Sequence, residues 1–215
     1  MKKLATIACV TLLVCLSVIG FAFPAHAVQT YAVAHDGSGN FFIGTKNQRG
    51  YFFCSNNSVV RAGQPLNGGG KTALPGGRLE AGTTPEQGAF DEFLEETGVL
   101  LPQQTQLSPK IYEQTGQYYG VYFRVDPQAL KDINTQAARN IQEGQRAIPG
   151  IQNGTITTCN QIRNSYPLSP LDNELARGEL WNFERDRQKI DALRNDRDTN
   201  WFYFILDNLR RQLRS

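Results

Sequence analysis

Glu92, Glu95 and Glu96 lie close together shortly after the bend Pro75-Gly76-Gly77. At about 100° of helical rotation per residue, their three carboxylates fall within an arc of roughly 100°. Grouped in this way they repel one another, and either solvent or a cation must compensate. Hard divalent cations such as magnesium or manganese take oxygen ligands and leave coordination positions open for phosphate. Pro75, Gly76 and Gly77 would put bare backbone beside the acids, where a carbonyl can join the coordination. The residues by themselves also allow a plainer reading, a solvated acidic helix face.

The elements that must hold these acids are well signalled. Thr84 is a helix N-cap, Pro85 suits the first helical position and Gln87 completes a capping-box spacing. Gly98 is a left-handed stop. Ala89, Phe90, Phe93, Leu94 and Thr97 occupy the side opposite the acids, so one face packs on a core while the other presents charge.

The stretch as a whole resembles a Nudix box, G-x5-E-x7-R-E-U-x-E-E-x-G-U with U a bulky apolar residue. Gly77, Glu92, Phe93, Glu95, Glu96, Gly98 and Val99 match in register, and the preceding Leu79-Glu80-x-Gly82 run is also typical of the family. Two positions depart from it: Thr83 stands where the first Glu belongs, and Asp91 where the Arg belongs. The resemblance implies an α+β Nudix fold, a mixed β-sheet sandwiched between helices (α/β/α), with insertions and a C-terminal helix. It also implies metal-dependent hydrolysis of a pyrophosphate bond in a nucleoside diphosphate linked to another moiety.

On that resemblance Gly76, Glu92, Glu95 and Glu96 are the expected ligands of Mg2+ or Mn2+, Gly76 through its carbonyl. Glu92, Glu96 and, from a later acidic segment, Glu174 are the candidate catalytic residues; which carboxylate acts as base varies across the family. Asp91 cannot orient Glu92 by ion pairing as the family's arginine does. It is expected instead to raise the pKa of Glu92, with Arg78 or another arginine left to restore the lost charge. The competing reading is a catalytically impaired Nudix-fold module that binds nucleotides or another protein.

The N-terminus sets the expected compartment. Lys2 and Lys3, an apolar run and Ala25-His26-Ala27 read as a signal peptide over residues 1–27, with an uncleaved anchor as the alternative. Residues 28–215 are then one exported domain, periplasmic or secreted, with an insertion at about 127–160 and no further membrane span. With Lys2 and Lys3 removed, the chain keeps 20 basic and 20 acidic residues, a balance that argues against a polymeric nucleic-acid partner and leaves a small molecule. Cys54 and Cys159 remain as a pair, expected to be bridged in an oxidising compartment; two buried thiols are the other possibility.

Elsewhere, Tyr31 to Ala34 and Phe41 to Thr45 read as strands around a turn, with Tyr51 to Cys54 extending the sheet. Gln64 to Gly70 reads as a linker and Lys71 to Leu74 as the strand feeding the box. Lys110 to Glu113 and Tyr118 to Val125 pair as strands, the tyrosines either in the core or stacking on a base. Pro127 to Gly144 is helical and Pro149 to Thr158 turn-rich. Glu174 precedes Leu180-Trp181 and is either a metal or water ligand or a surface acid. Trp201 to Leu213 is an amphipathic helix whose Arg210, Arg211 and Arg214 either meet anions or complete a cap on the core.

Overall fold

The computed structural model describes residues 27–54, 58–113 and 116–215. The expected signal segment, apart from Ala27, lies outside the described residues. The elements run β1 (Val28–His35), β2 (Asn40–Lys46), β3 (Arg49–Phe53), β4 (Val59–Pro65), β5 (Thr72–Ala73), β6 (Gly76–Arg78) and α1 (Pro85–Thr97). There follow β7 (Thr105–Leu107), β8 (Ile111–Glu113), β9 (Gly116–Arg124), α2 (Pro127–Gln152), α3 (Cys159–Ser165), β10 (Leu175–Asn182), α4 (Arg187–Leu193) and α5 (Asn200–Arg214). No helix among the described residues is long and apolar enough to cross a membrane.

The main sheet is mixed, in the order β10-β2-β1-β9-β7, with β5, β6 and β8 paired onto β2, β1 and β9. Only β1 and β9 run parallel among the pairs found. Strict alternation in β1 and β2 explains the layers. Tyr31, Val33, Phe41 and Ile43 face a core closed by α4 and α5, through Ile190, Leu193, Phe202, Ile205 and Leu206. Ala32, Ala34 and Phe42 face the opposite core, with Ala89 and Phe93 of α1 and Leu130, Ile133, Ala137 and Ile141 of α2. The sheet is therefore held between helices on both faces, as expected.

Three expectations change. Tyr51 to Cys54 does not extend the sheet: β3 pairs with β4 in a separate hairpin. That hairpin also takes in Gln64 and Pro65, which the linker reading left as loop. The helix after Pro127 runs on through Pro149 to Gln152, because Ala147 and Ile151 continue its buried stripe onto Phe52, Cys54, Cys159 and Ile162. Cys54 and Cys159 are joined by a disulfide within this third cluster. The terminal arginines are taken up locally, Arg210 and Arg211 by Asp207 and Arg214 by Glu184, while Phe202, Ile205, Leu206 and Leu209 seal the core.

His35 gives the fold a built-in acid sensitivity. It is 4% exposed and its Nδ1 accepts a hydrogen bond from the Gly37 N–H at 3.2 Å, so the ring is neutral with its proton on Nε2. Burial, then the Arg124 guanidinium, lowers its pKa to about 4. The unfolded side chain titrates near 6.5, roughly, so in between the unfolded chain takes up a proton that the folded one refuses. This stability is complete above the unfolded value and is lost as pH falls toward the folded one. In His35→Asn, which keeps an acceptor, the pH slope of stability across that window should flatten by about one proton. Denaturation midpoints measured between neutral and acid pH decide it, and an unchanged slope would refute the assignment.

Candidate active site

The site begins where β6 turns into the loop before α1. Gly76 pairs with Tyr31 across an antiparallel ladder and has φ +155°; a Cβ there would run into the Thr30 carbonyl oxygen. At Gly77 a Cβ would run into the Glu92 carboxylate, so the missing side chain is what lets that acid sit against the backbone. The helix that delivers the acids starts and stops as its residues dictate. Thr84 accepts from the Gln87 N–H at 3.2 Å, Pro85 opens the first turn, and Gly98 closes it at φ +67° with its N–H on the Leu94 carbonyl. Only half of a capping box forms, because the Gln87 side chain donates to Asp91 instead.

The three box glutamates do not share one outward face. Glu96 is 2% exposed and lies with Ala89, Phe93 and Thr97 on the buried side, where its Oε1 accepts from the Gly76 N–H at 2.9 Å. Glu92 borders two hollows. One, of about 1070 Å³, is lined by Lys46, Lys71, Gly76, Gly77, Arg78, Glu174, Arg197 and the aromatic rings of Tyr31, Tyr118 and Trp201. The other, of about 360 Å³, also holds Glu95, Asp91 and Thr83. Tyr118 is in the core, yet it also borders the larger hollow, stacked on Trp201 with centroids 4.8 Å apart.

Glu174 comes from the segment before β10, which is fastened to the box helix. The Asp172 N–H donates to the Glu95 carbonyl at 3.1 Å, and the Glu174 N–H donates to Asp172 Oδ1 at 2.9 Å. Asn47, just beyond β2, holds the same segment through its N–H to the Glu174 carbonyl and its side chain to the carbonyls of Asn173 and Leu175. Glu174 itself forms an ion pair with Lys46.

Two members of the site escape a reading of the sequence. Asp172 is 2% exposed and its carboxylate belongs to the acidic group; the Asp172-Asn173-Glu174 run carries that signal, but nothing in it says which acid turns inward. Lys46 supplies the positive charge that the box lacks at Asp91, and Arg78 does not take that role. Lys46 ends a strand whose pairing with Leu175 brings it beside Glu174, a contact between distant parts of the chain.

Burial first, then the charges of Glu95 and Glu174, push Glu92 up to about 8, with Lys46 acting against them. The expected direction holds, but Asp91 is not among the main causes; its carboxylate is engaged by Gln87. Burial, then Glu174, also raises Glu96 and Asp172 well above the carboxylate range. Burial opposes the charge on Lys46, but Glu174 and Glu96 outweigh it and its pKa rises.

Among the described residues no three His, Cys, Asp or Glu side chains form a ready-made metal cage. The reason lies in their partners: Glu96 turns to the Gly76 N–H, Glu174 to Lys46, and Glu95 borders the smaller hollow. The donor set nonetheless suits a hard cation. Glu96 Oε2 and Asp172 Oδ2 are both buried without a hydrogen-bond partner, and a buried anionic oxygen in that state calls for a proton or a cation.

The glycine bend, the capped helix and the acids that return over it form a loop–helix–loop in register with the box. The fold is of the Nudix type. Solved structures that align with the chain include a MutT protein from Methanosarcina mazei Go1, at 12% identity, over 89% of this chain and 97% of that one, with a TM-score of 0.43. A NUDIX hydrolase from Nitrosomonas europaea aligns at 16% identity over 76% of each chain, with a TM-score of 0.38. A bifunctional NMN adenylyltransferase/ADP ribose pyrophosphatase from Francisella tularensis, complexed with AMP and a Mn ion, aligns at 18% identity over 57% of this chain and 33% of that one, with a TM-score of 0.33. No protein-family model and no curated protein matches the sequence.

Proposed function

We propose that the chain is an exported, metal-dependent hydrolase that cleaves a pyrophosphate bond in a nucleoside diphosphate linked to another moiety. The observation that carries this reading is the pair of orphaned buried oxygens, Glu96 Oε2 and Asp172 Oδ2, close to a cavity large enough for a nucleotide. Glu92, Glu95 and Glu96, with the Gly76 carbonyl, would hold Mg2+ or Mn2+, and Asp172 adds a fifth oxygen source. Bound there, the cation supplies neutralisation of phosphate oxygens and a more acidic water.

The chain's own groups do the rest. Glu92, which borders both hollows, would serve as ligand or as the base that takes a proton from the attacking water; Glu174 is the second candidate for the base. Arg78 and Arg197 line the cavity as partners for phosphate oxygens, with Lys71 beside them held by Asp196 and Asp198, and Trp201 offers aromatic surface to a base. Incubation of the purified protein with ADP-ribose, dinucleoside polyphosphates, nucleotide sugars and nucleoside triphosphates tests the reading. Nucleoside monophosphate should appear with Mn2+ and not after chelation; release independent of metal would refute it.

A second reading, a binding module on the same scaffold, is favoured by the ion pair of Lys46 with Glu174, which neutralises one acid without any metal. Saturable nucleotide binding with no turnover across the panel supports that reading against the first.

A further inference from the structure

We propose that Lys46 is a tethered counter-cation: its ammonium group stands in for a divalent ion within the acidic group, and a divalent ion that binds among those acids competes with it and drives it off Glu174. The inference rests on the metal-binding reading of the site and adds how entry to that site is controlled.

The placement is built by the fold. Lys46 ends β2, and its register partner across the ladder is Leu175, so its side chain emerges beside Glu174. Its backbone is fixed on both sides, the N–H to the Lys71 carbonyl and the carbonyl to the Gly70 N–H. Only the flexible stem can move. The pair it makes with Glu174 is partly open, 21% and 24% exposed, and it borders the large cavity into which a released ammonium would swing. Glu96 and Asp172, whose charges act on Lys46, each carry a buried oxygen that no donor reaches.

One ammonium cannot serve that many acids. It offers a single charge and three donors, and among the described residues it forms an ion pair with one carboxylate, that of Glu174. A divalent ion brings twice the charge and several coordination positions, so it can collect the orphaned oxygens that Lys46 leaves unmet. The same arrangement explains how the acids tolerate one another when no metal is bound: a lysine restores charge at a box whose arginine position is Asp91. Once displaced, the ammonium faces the cavity occupied by the diphosphate, where its charge is again useful.

The experiment compares wild type, Lys46→Met and Lys46→Arg by Mn2+ calorimetry and by thermal melting with chelator or Mn2+. A competing cation removed should let Lys46→Met bind Mn2+ about tenfold more tightly or better, following from the mass action of a displaced competitor. Its melting temperature in chelator should fall below wild type and recover with Mn2+, whereas Lys46→Arg keeps wild-type behaviour. In the wild type, acylation of Lys46 read by mass spectrometry should rise on Mg2+ addition; this arm needs no variant to fold. Equal Mn2+ affinity in wild type and Lys46→Met, or weaker affinity in the variant, overturns the proposal, as does Lys46 acylation unchanged by saturating Mg2+. If neither protein takes up Mn2+, the metal-binding reading of the site falls as well, a result distinct from equal binding by both.

Discussion

Glu96→Gln is expected to abolish metal-dependent turnover while making the metal-free protein more stable. The two effects have one cause. Glu96 is almost wholly buried, one oxygen is held by the Gly76 N–H, and the other has no donor. Its pKa is raised, first by burial, so as pH rises above the unfolded value near 4.5 the unfolded chain ionises a group that the folded state disfavours as an anion, and stability is lost. Gln has the same shape, keeps an oxygen for the Gly76 N–H and removes the charge. Relief of that burial should stabilise the chelated protein by about 1–3 kcal/mol. The same change withdraws an anionic oxygen from the place where a cation would be gripped. With several kcal/mol of charge stabilisation at stake, turnover should fall by about a thousandfold or more. Denaturant midpoints in chelator and Mn2+-dependent rates measure the two halves separately. A variant that is less stable without metal, or one that turns over at the wild-type rate, would reject this role for Glu96.

The box helix was legible because everything that defines it is local. Thr84, Pro85 and Gly98 are signals within the helix's own span, and each does in the structure what its chemistry dictates. The layers of the sheet were legible for the same reason, since alternation in β1 and β2 is visible residue by residue. The facing of the acids was not. Helical rotation puts Glu92, Glu95 and Glu96 in one arc, but the boundary between core and solvent depends on what packs above. Here the returning Asp172–Glu174 segment fastens onto the Glu95 carbonyl, the Gly76 N–H holds the Glu96 carboxylate, and Glu96 ends up buried.

The same limit explains Lys46 and Asp172. An ion pair between the end of β2 and the start of β10 exists only once those strands are neighbours, and no spacing in the sequence announces that pairing. The hairpin of β3 and β4 was missed because an apolar aromatic strand satisfies the main sheet and a separate hairpin equally well. What decided between them was the third cluster, where Phe52 meets Ala147 and Ile151 from far along the chain.

That third cluster gives the second large expectation: reducing the Cys54–Cys159 bridge should cost both stability and the integrity of the acidic group. The bridge closes a sequence separation of 105 residues, so in the chain-entropy model it contributes about 4–5 kcal/mol. For a domain of this size that corresponds to a fall of about 10–15 °C in melting temperature. The site feels the loss because the bridge ties the end of β3 to the start of α3, and the acidic segment hangs on β3. Asn173 Oδ1 accepts the N–H groups of Tyr51 and Phe52 at 2.7 and 2.9 Å, the Cys54 N–H donates to the Leu171 carbonyl, and Phe53 bridges to Asp172. Loosening the hairpin therefore loosens the residues that aim Asp172 and Glu174. Both cysteines are buried, so the reductant should be present throughout equilibrium denaturation, where unfolding exposes the bridge. Under those conditions the wild-type midpoint should fall, and that of Cys54→Ala/Cys159→Ala should not respond to reductant at all. Mn2+ affinity of the double variant should also drop, since its acids are no longer held from the β3 side. A wild-type midpoint indifferent to reductant would mean that the hairpin is held by its apolar contacts alone, and the bridge would then have no part in positioning the acids.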